Sequence, residues 1–262
     1  MENKPKNLLK VQFLGTASSL GMPVIGYDHP VSLSQNPKDF RLRSSIFLQQ
    51  NDTKIVIDCG PDFRIQMLQL RVKELDGIVF THEHADHTAG LDDVRPFNFL
   101  MQRPMPIYAE ERVMRHIQHR FDYCFKEPKY PGAPDFDSYL IDEKGFTIGE
   151  INFQPIRIQH GNLPILGFRI DDFCYITDAG EIYAEELEKL KGLKVLVINA
   201  LRRERKHHSQ FTLEEALEII EKVQPEKAYL THVSPNLGFH DEVQASLPEN
   251  IFLAYDGLTL EV

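Results

Sequence analysis

An apolar run that passes without a break into three histidines and an aspartate constrains this chain more than any other feature: GIVF at 77–80, then THEHADH at 81–87. The run predicts a buried strand whose C-terminal end carries His82, His84, Asp86 and His87 into one place. The H-x-H-x-D-H spacing lets two imidazoles reach one metal ion while the aspartate and the third histidine reach a neighbour. Imidazole and carboxylate donors suit Zn²⁺ and other divalent first-row ions. A loop of solvent-exposed histidines is the competing reading. The apolar strand directly before the cluster argues against it.

A complete centre needs more donors, and three recur in the same context. His160 ends GEINFQPIRIQH (149–160), Asp178 lies in FCYITDAG (173–180), and His232 ends KAYLTH (227–232). Each sits where a strand gives way to a loop. Taken singly, each reads as an ordinary capping or hydrogen-bonded loop residue. Together with the cluster they make seven candidate ligands, enough for two divalent ions, Zn²⁺ or Mn²⁺, with Asp178 as the bridge.

Further strand-like runs fall at 11–15, 45–50, 53–60, 105–109, 167–170, 194–200 and 251–257. Helical patterns fall at 62–71, 110–121, 181–191 and 212–223, the last with Thr212 as N-cap and Glu215 at the capping-box position. Segments 16–44 and 126–138 read as irregular from their Gly and Pro content. Strands with interspersed helices predict a mixed α/β layered fold, taken as one domain over residues 1–262.

Twenty-nine basic against 39 acidic residues leave a formal charge of −10, which argues against a general nucleic-acid-binding surface. An acidic chain that handles phosphate must do so locally, with metals or a few arginines. The three cysteines, Cys59, Cys124 and Cys174, are far apart and form neither a disulfide framework nor a CxxC site. The segment MENKPKNLLK has no apolar signal core, and no apolar run approaches the roughly 20 residues that cross a bilayer. A cytoplasmic protein with no membrane partner is the expectation, and a homodimer is compatible with it.

The chain resembles the metallo-β-lactamase superfamily. The resemblance rests on HxHxDH at 82–87 with the later His, Asp and His, and on FLGT (13–16), DCG (58–60), DAG (178–180) and YDG (255–257). It spans essentially the whole chain. RLRSS (41–45), HTAGLDDVRPF (87–97) and FTLEEAL (211–217) are similar to the phosphodiesterase branch, which includes phosphoribosyl 1,2-cyclic phosphodiesterase and, more distantly, tRNase Z. The resemblance implies an αββα sandwich of two mixed β-sheets flanked by helices, with the metals at one edge of the sheets. It assigns His82, His84 and His160 to one ion and Asp86, His87 and His232 to the other. Two such ions, about 3.5–4 Å apart, acidify a bridging water, which Asp86 also orients. The implied activity is that of a phosphodiesterase acting on a small cyclic or nucleotide-like phosphodiester. A tRNase Z-like ribonuclease, a thioesterase or lactonase, and a metal-binding protein without turnover are the alternatives.

Departures from the branch carry information too. Relatives hold a structural zinc with cysteines in the first long loop and a histidine three residues after the last metal histidine. Here Tyr27, His29, Ser32 and Pro235 occupy those places. A closed zinc site wants four N or S donors, so that site is expected to be lost, with the loop held by packing alone. His207 and His208 lie five and four residues before Thr212, and either is a candidate general acid. Gln210 stands two before that threonine, where tRNase Z-like sequences have histidine. Arg202 and Arg203 are candidate substrate-anion contacts, although a basic run is often only a solvated surface. Asp58 reads as the acceptor that fixes the tautomer of a metal-bound imidazole. His116 and His119 read as ordinary helix residues, and nothing around Cys59 suggests a nucleophile.

Seven candidate ligands and an altered loop predict two tightly held divalent ions per chain and no third. Elemental analysis of the purified protein checks this, and a third zinc near Tyr27, His29 or Ser32 contradicts it.

Overall fold

The computed structural model describes residues 8–262; most of the N-terminal segment read for a signal, residues 1–7, lies outside them. The strands of the first half are β1 (Lys10–Gly15), β2 (Ser45–Gln50), β3 (Thr53–Ile57), β4 (Gly77–Val79), β5 (Met105–Ala109), β6 (Phe136–Leu140) and β7 (Phe146–Ile148). Those of the second half are β8 (Ile151–His160), β9 (Leu163–Ile170), β10 (Phe173–Tyr175), β11 (Glu181–Ile182), β12 (Val195–Asn199), β13 (Lys227–Thr231), β14 (Ile251–Leu253) and β15 (Thr259–Glu261). Helices are α1 (Phe63–Leu70), α2 (Ala85–Thr88), α3 (Arg95–Met101), α4 (Glu111–Arg120), α5 (Asp122–Phe125), α6 (Ala184–Glu188), α7 (Leu213–Val223) and α8 (His240–Ser246). One sheet has the order β15-β1-β2-β3-β4-β5-β6, the other β11-β8-β9-β10-β12-β13-β14 with β7 added beside β8. Both mix parallel and antiparallel pairs.

Alternation along the central strands sorts side chains between three layers of core. Ile46 and Leu48 of β2, Ile55 and Ile57 of β3, and Val195 and Val197 of β12 pack between the sheets. Their neighbours turn outward: Phe47 and Val56 pack against Phe63, Met67, Phe97, Val113 and Ile117 of the helices on one side. Leu196 and Ile198 meet Leu213, Ile219, Ile220 and Val223 of α7 on the other. The result is an αββα sandwich. The capping box on α7 forms, with the Glu215 amide donating to Thr212 Oγ1 and the Thr212 amide to Glu215 Oε2. Such a cap is worth about 1 kcal/mol, and each large apolar side chain buried about 1.5–3 kcal/mol. With four such side chains on α7, packing holds this helix in place more strongly than its cap does. No helix among the described residues is long and apolar enough to cross a membrane.

Several apolar runs outlast their strands. Pairing stops at Ile57, Val79, Tyr175 and Thr231, and the residues beyond leave the sheet. Asp58, Asp178 and His232 there adopt φ of 65°, 58° and 53°. This left-handed conformation ends the ladder and turns each side chain toward the sheet edge. β6 falls partly in the segment read as irregular, because FDSYL buries only Phe136 and carries no apolar alternation. The 181–191 helix contracts to α6, with β11 ahead of it.

The loop at 26–32, expected to be held by packing alone, lies in a segment, 16–44, whose remainder is fastened by a polar network. Arg41 is buried, donating from Nη1 to Thr16 Oγ1 (2.8 Å) and to the Ala254 carbonyl, with Nη2 2.9 Å from His240 Nδ1. Asp39 accepts from the His240 amide and from Ser34 Oγ. Asp256 accepts from the Leu42 amide and from Thr16 Oγ1. Burial, then Arg41 and Lys38, push His240 down to about 4, so it is a neutral acceptor for the guanidinium. The network braces β13 near His232, because the Val233 amide donates to Thr16 O (3.0 Å) and the Ala254 amide to Leu230 O (2.9 Å).

Arg41→Met takes the donor away from the buried Ala254 carbonyl and from His240 Nδ1, and leaving a buried acceptor unsatisfied costs about 1–3 kcal/mol. Urea denaturation should show a loss of that size. An unchanged midpoint would mean that the segment is held by packing after all.

Candidate metal centre

The parallel strands point their C-terminal ends at one edge of the sandwich, and the seven candidate ligands collect there. His82, His84 and His160 form one group of donors, Asp86, His87 and His232 a second, and His82, His87 and Asp178 a third between them, the donor atoms of each lying within 4.8 Å of one another. Asp178 Oδ2 is 3.2 Å from both His87 Nε2 and His232 Nε2. Asp86 Oδ2 is 3.2 Å from His87 Nε2 and 3.9 Å from His232 Nε2. His82 Nε2 faces His84 Nδ1 at 3.0 Å.

Hydrogen bonds behind the rings decide which nitrogens face inward. Asp58, fully buried one residue past β3, accepts from the Thr81 amide (2.9 Å), from Thr81 Oγ1 and from His87 Nδ1 (2.7 Å). Thr81 Oγ1 lies 2.9 Å from His82 Nδ1 and is committed as a donor to Asp58, so it accepts from that ring. His160 Nδ1 donates to the Asp178 and Ser209 carbonyls (2.7 and 2.9 Å). His82, His87 and His160 therefore all present Nε2 to the centre. This is the arrangement by which outer partners fix the tautomer of a metal ligand.

The donor set fits a divalent cation. His87 Nε2 and His232 Nε2 are buried and sit 3.2 Å from carboxylate oxygens, yet none of these pairs is aligned as a hydrogen bond. Buried polar atoms are almost always satisfied, and a cation between them satisfies all at once. The electrostatics agree. Burial opposes charge on His87, but Asp86, Asp58 and Asp178 hold its pKa well above the usual imidazole range. Burial would raise Asp86 and Asp178, but the surrounding imidazoles hold both below the usual carboxylate range. Burial, then the His87 imidazole, drives His82 well down against the opposing pull of Asp178 and Asp86, which keeps a lone pair available.

Close approach at the centre depends on two glycines. A Cβ on Gly60 would lie 2.0 Å from the Asp86 carbonyl, and one on Gly180 2.6 Å from the Ser209 carbonyl that holds His160. The α4 helix joins the centre through Arg112, which pairs with Glu83 inside the motif and donates to the Pro164 carbonyl.

His207 is half-buried, with Nδ1 3.2 Å from Ser209 Oγ, and its ring packs against that of His208, which is exposed. Burial, His208 and Arg202 lower the His207 pKa, and smaller influences of His160 and Asp178 mark it as a neighbour of the ligands. Both arginines have partners away from the ligands. Arg202 holds the Arg205 and Lys206 carbonyls, and Arg203 holds Leu237 O and Ser246 Oγ. His116 and His119 lie on α4, outside the three donor groups. Cys59 is buried, and its pKa is raised by burial and by Asp93 and Asp58. Sequence reasoning assigned no role to Thr81 and gave Gln210 a position but no contact. Gln210 Nε2 donates to Asp178 Oδ1 at 2.8 Å. Thr81 could have been noticed from its place just before His82; nothing local announces Gln210.

A family model described as the Beta-lactamase superfamily domain matches residues 53–233. The crystal structure of a new diphosphatase from the PhnP family superposes with a TM-score of 0.91 at 36% identity, covering 97% of each chain. An octanoyltransferase from Porphyromonas gingivalis is 38% identical over 94% of this chain and 50% of its own length. The chain spans about half the length of the curated relatives it matches first. Human short-form tRNase Z, at 19% identity and a TM-score of 0.67 over 96% of this chain and 98% of that one, shares the fold.

Asp178→Ala and His82→Ala alter side chains at the sheet edge, outside the apolar layers. Far-UV circular dichroism should be unchanged. The rise in melting temperature that Zn²⁺ or Mn²⁺ gives the native chain should shrink or vanish, because ligand stabilisation scales with affinity. Full metal loading and undiminished thermal stabilisation in either variant would remove that residue from the centre.

Proposed function

This chain belongs to the metallo-β-lactamase superfamily and to its PhnP family, and on that premise we propose that it is a dinuclear metal-dependent hydrolase cleaving a small cyclic or nucleotide-like phosphodiester. The observation that carries the proposal is the gathering of seven imidazole and carboxylate donors, several buried and unaligned with one another, at one sheet edge. In this reading His82, His84 and His160 hold one ion, Asp86, His87 and His232 the other, and Asp178 serves both. When bound, Zn²⁺ or Mn²⁺ supplies Lewis acidity to a phosphoryl oxygen and lowers the pKa of water.

The remaining chemistry falls to the chain. Asp58 and Thr81 hold His82 and His87 in one tautomer. Asp86, partly open to solvent, orients the attacking water. His207 donates a proton to the leaving oxygen, and its lowered pKa makes it a ready donor with a smaller protonated fraction at neutral pH. His208 is the other candidate for that step. Arg202, close enough to depress His207, adds positive charge for the substrate phosphate. Arg203 is committed to Leu237 and Ser246, which weakens its claim to the same task. The three buried thiols fit a reducing compartment, and we place the protein in the cytoplasm.

A second reading is favoured by one observation: the solved PhnP-family relative is a diphosphatase. The same donors would serve a phosphoanhydride. The likeness to tRNase Z extends to the fold alone, and the charge of −10 disfavours an RNA polymer. The octanoyltransferase name belongs to a protein half of whose length lies outside the match.

Bis(p-nitrophenyl) phosphate should be cleaved with added Mn²⁺ or Zn²⁺. In a panel of cyclic phosphates, linear diesters, diphosphates and thioesters, small cyclic phosphates should be the better substrates. Preference for diphosphates selects the second reading, and efficient precursor-tRNA cleavage defeats both. His207→Ala should slow substrates with poor leaving groups by about 10²–10⁴-fold and nitrophenyl esters far less. Equal losses on both would exclude His207 as the acid.

A further inference from the structure

We propose that Gln210 is a positioning residue for the metal centre: its side-chain amide holds the Asp178 carboxylate in the orientation that lets one oxygen serve His87's and His232's side of the site. The inference rests on the reading that the His/Asp cluster binds divalent ions, and it adds a residue to which no role there has been assigned.

The geometry is specific. Gln210 Nε2 donates to Asp178 Oδ1 at 2.8 Å, while Oδ2 accepts from Thr177 Oγ1 at 2.9 Å. Both carboxylate oxygens thus have protein donors, and they have different ones. With Oδ1 tied to Gln210, it is Oδ2 that stands 3.2 Å from His87 Nε2 and from His232 Nε2. A carboxylate turns about its last torsion over a broad, roughly two-fold minimum. Without a donor on Oδ1, that orientation loses one of its two restraints.

The amide is well held. Gln210 is 8% exposed. Ser209 O accepts from His160 Nδ1 (2.9 Å), and the Phe211 amide donates to the Ala179 carbonyl (2.7 Å). The three residues Ser209, Gln210 and Phe211 therefore touch His160, Asp178 and the turn after Asp178. That turn is itself fastened by Asn199, which accepts from the Ala179 amide and donates to the Ala179 carbonyl. Gly180 makes the approach feasible, since a Cβ there would meet the Ser209 carbonyl at 2.6 Å and the Gln210 nitrogen at 3.2 Å.

One end of the amide has no partner: Gln210 Oε1 is buried and accepts no hydrogen bond from the described residues. Leaving a buried acceptor unsatisfied is unfavourable, so an apolar residue of similar size would pack here at less cost. The opposite end explains the glutamine. Asp178 is an acceptor-only group that burial would otherwise raise, and it requires donors on every side. Oε1 is sealed from solvent and is not available to substrate, so the residue acts through Asp178.

Gln210→Leu keeps the volume and removes the donor; Gln210→Met does so with a more flexible chain. Zn²⁺ binding to the full chain is measured by competition with a chromophoric chelator. The d–d spectrum is recorded with Co²⁺ in place of Zn²⁺, and thermal melts with and without ion. Both variants should still fold and melt cooperatively in the presence of chelator, because removing the unsatisfied Oε1 offsets part of the loss of the hydrogen bond to Asp178. Both should bind divalent ions roughly 10–100-fold more weakly and show an altered Co²⁺ spectrum. Native affinity for both ions with an unchanged spectrum, in whichever variant folds, overturns the proposal. A native chain that takes up no divalent ion fails the functional reading instead; a native chain that binds two, with variants that bind them equally well, fails only the role of Gln210.

Discussion

The carboxylate of Asp58 is the interaction on which the rest of the centre depends. It is fully buried, where an ion without partners is strongly disfavoured. Burial raises its pKa, while His87 and Thr81 act in the opposite direction. Those partners are the reason it can stay charged, and they are also the residues it organises. Through His87 Nδ1 directly, and through Thr81 Oγ1 to His82 Nδ1, one carboxylate sets the tautomer of two rings. Its location follows from register. β3 and β4 run parallel with Ile57 opposite Val79, and the Asp58 amide donates to Val79 O (2.9 Å). The residue just past β3 is thereby set against the residues just past β4.

Convergence of donors has a conformational cost, and the fold meets it with rigid surroundings. Left-handed backbone at Asp58, Asp178 and His232 costs on the order of 1–3 kcal/mol each. Such conformations persist only where neighbours over-determine them. The Asn199 side chain does this for the turn after Asp178, and the Arg41 network does it beside His232. The two sheets are also tied at this edge, where the Leu166 amide of β9 donates to the Thr81 carbonyl past β4 (3.1 Å). A centre shared between two sheets needs such a tie, because a slip of one sheet against the other would separate His82 from His160.

Charge is distributed unevenly in a way that matters for the proposed substrate. The whole chain carries −10, yet Arg202, Arg203, Arg205 and Lys206 precede His207 in one loop. Charges further than about 8 Å apart in solution are largely screened at physiological ionic strength. A small phosphate-ester anion at the centre would respond to the loop and the ions beside it. A polymer extending over the surface would meet the acidic remainder.

The ligand motif, the central strands and the α7 capping box were legible in the sequence, because each depends on neighbours a few residues away. The apolar runs at 45–50 and 53–60 marked their strands, and the HxHxDH spacing marked its own chemistry. β6 was not legible: an edge strand with one buried residue leaves no periodic trace. The polar hold on residues 16–44 was not legible, because Arg41 and His240 meet across 199 positions and nothing local to either announces the other. Gln210 and Asp178 meet across 32. The sequence by itself determined which residue types could bind a cation, and that they lie at strand ends. Only the tertiary structure decided which nitrogen of each ring faces the centre and which oxygen of Asp178 is engaged, since a tautomer or a carboxylate orientation is set by whatever donor or acceptor the folded chain brings up behind it.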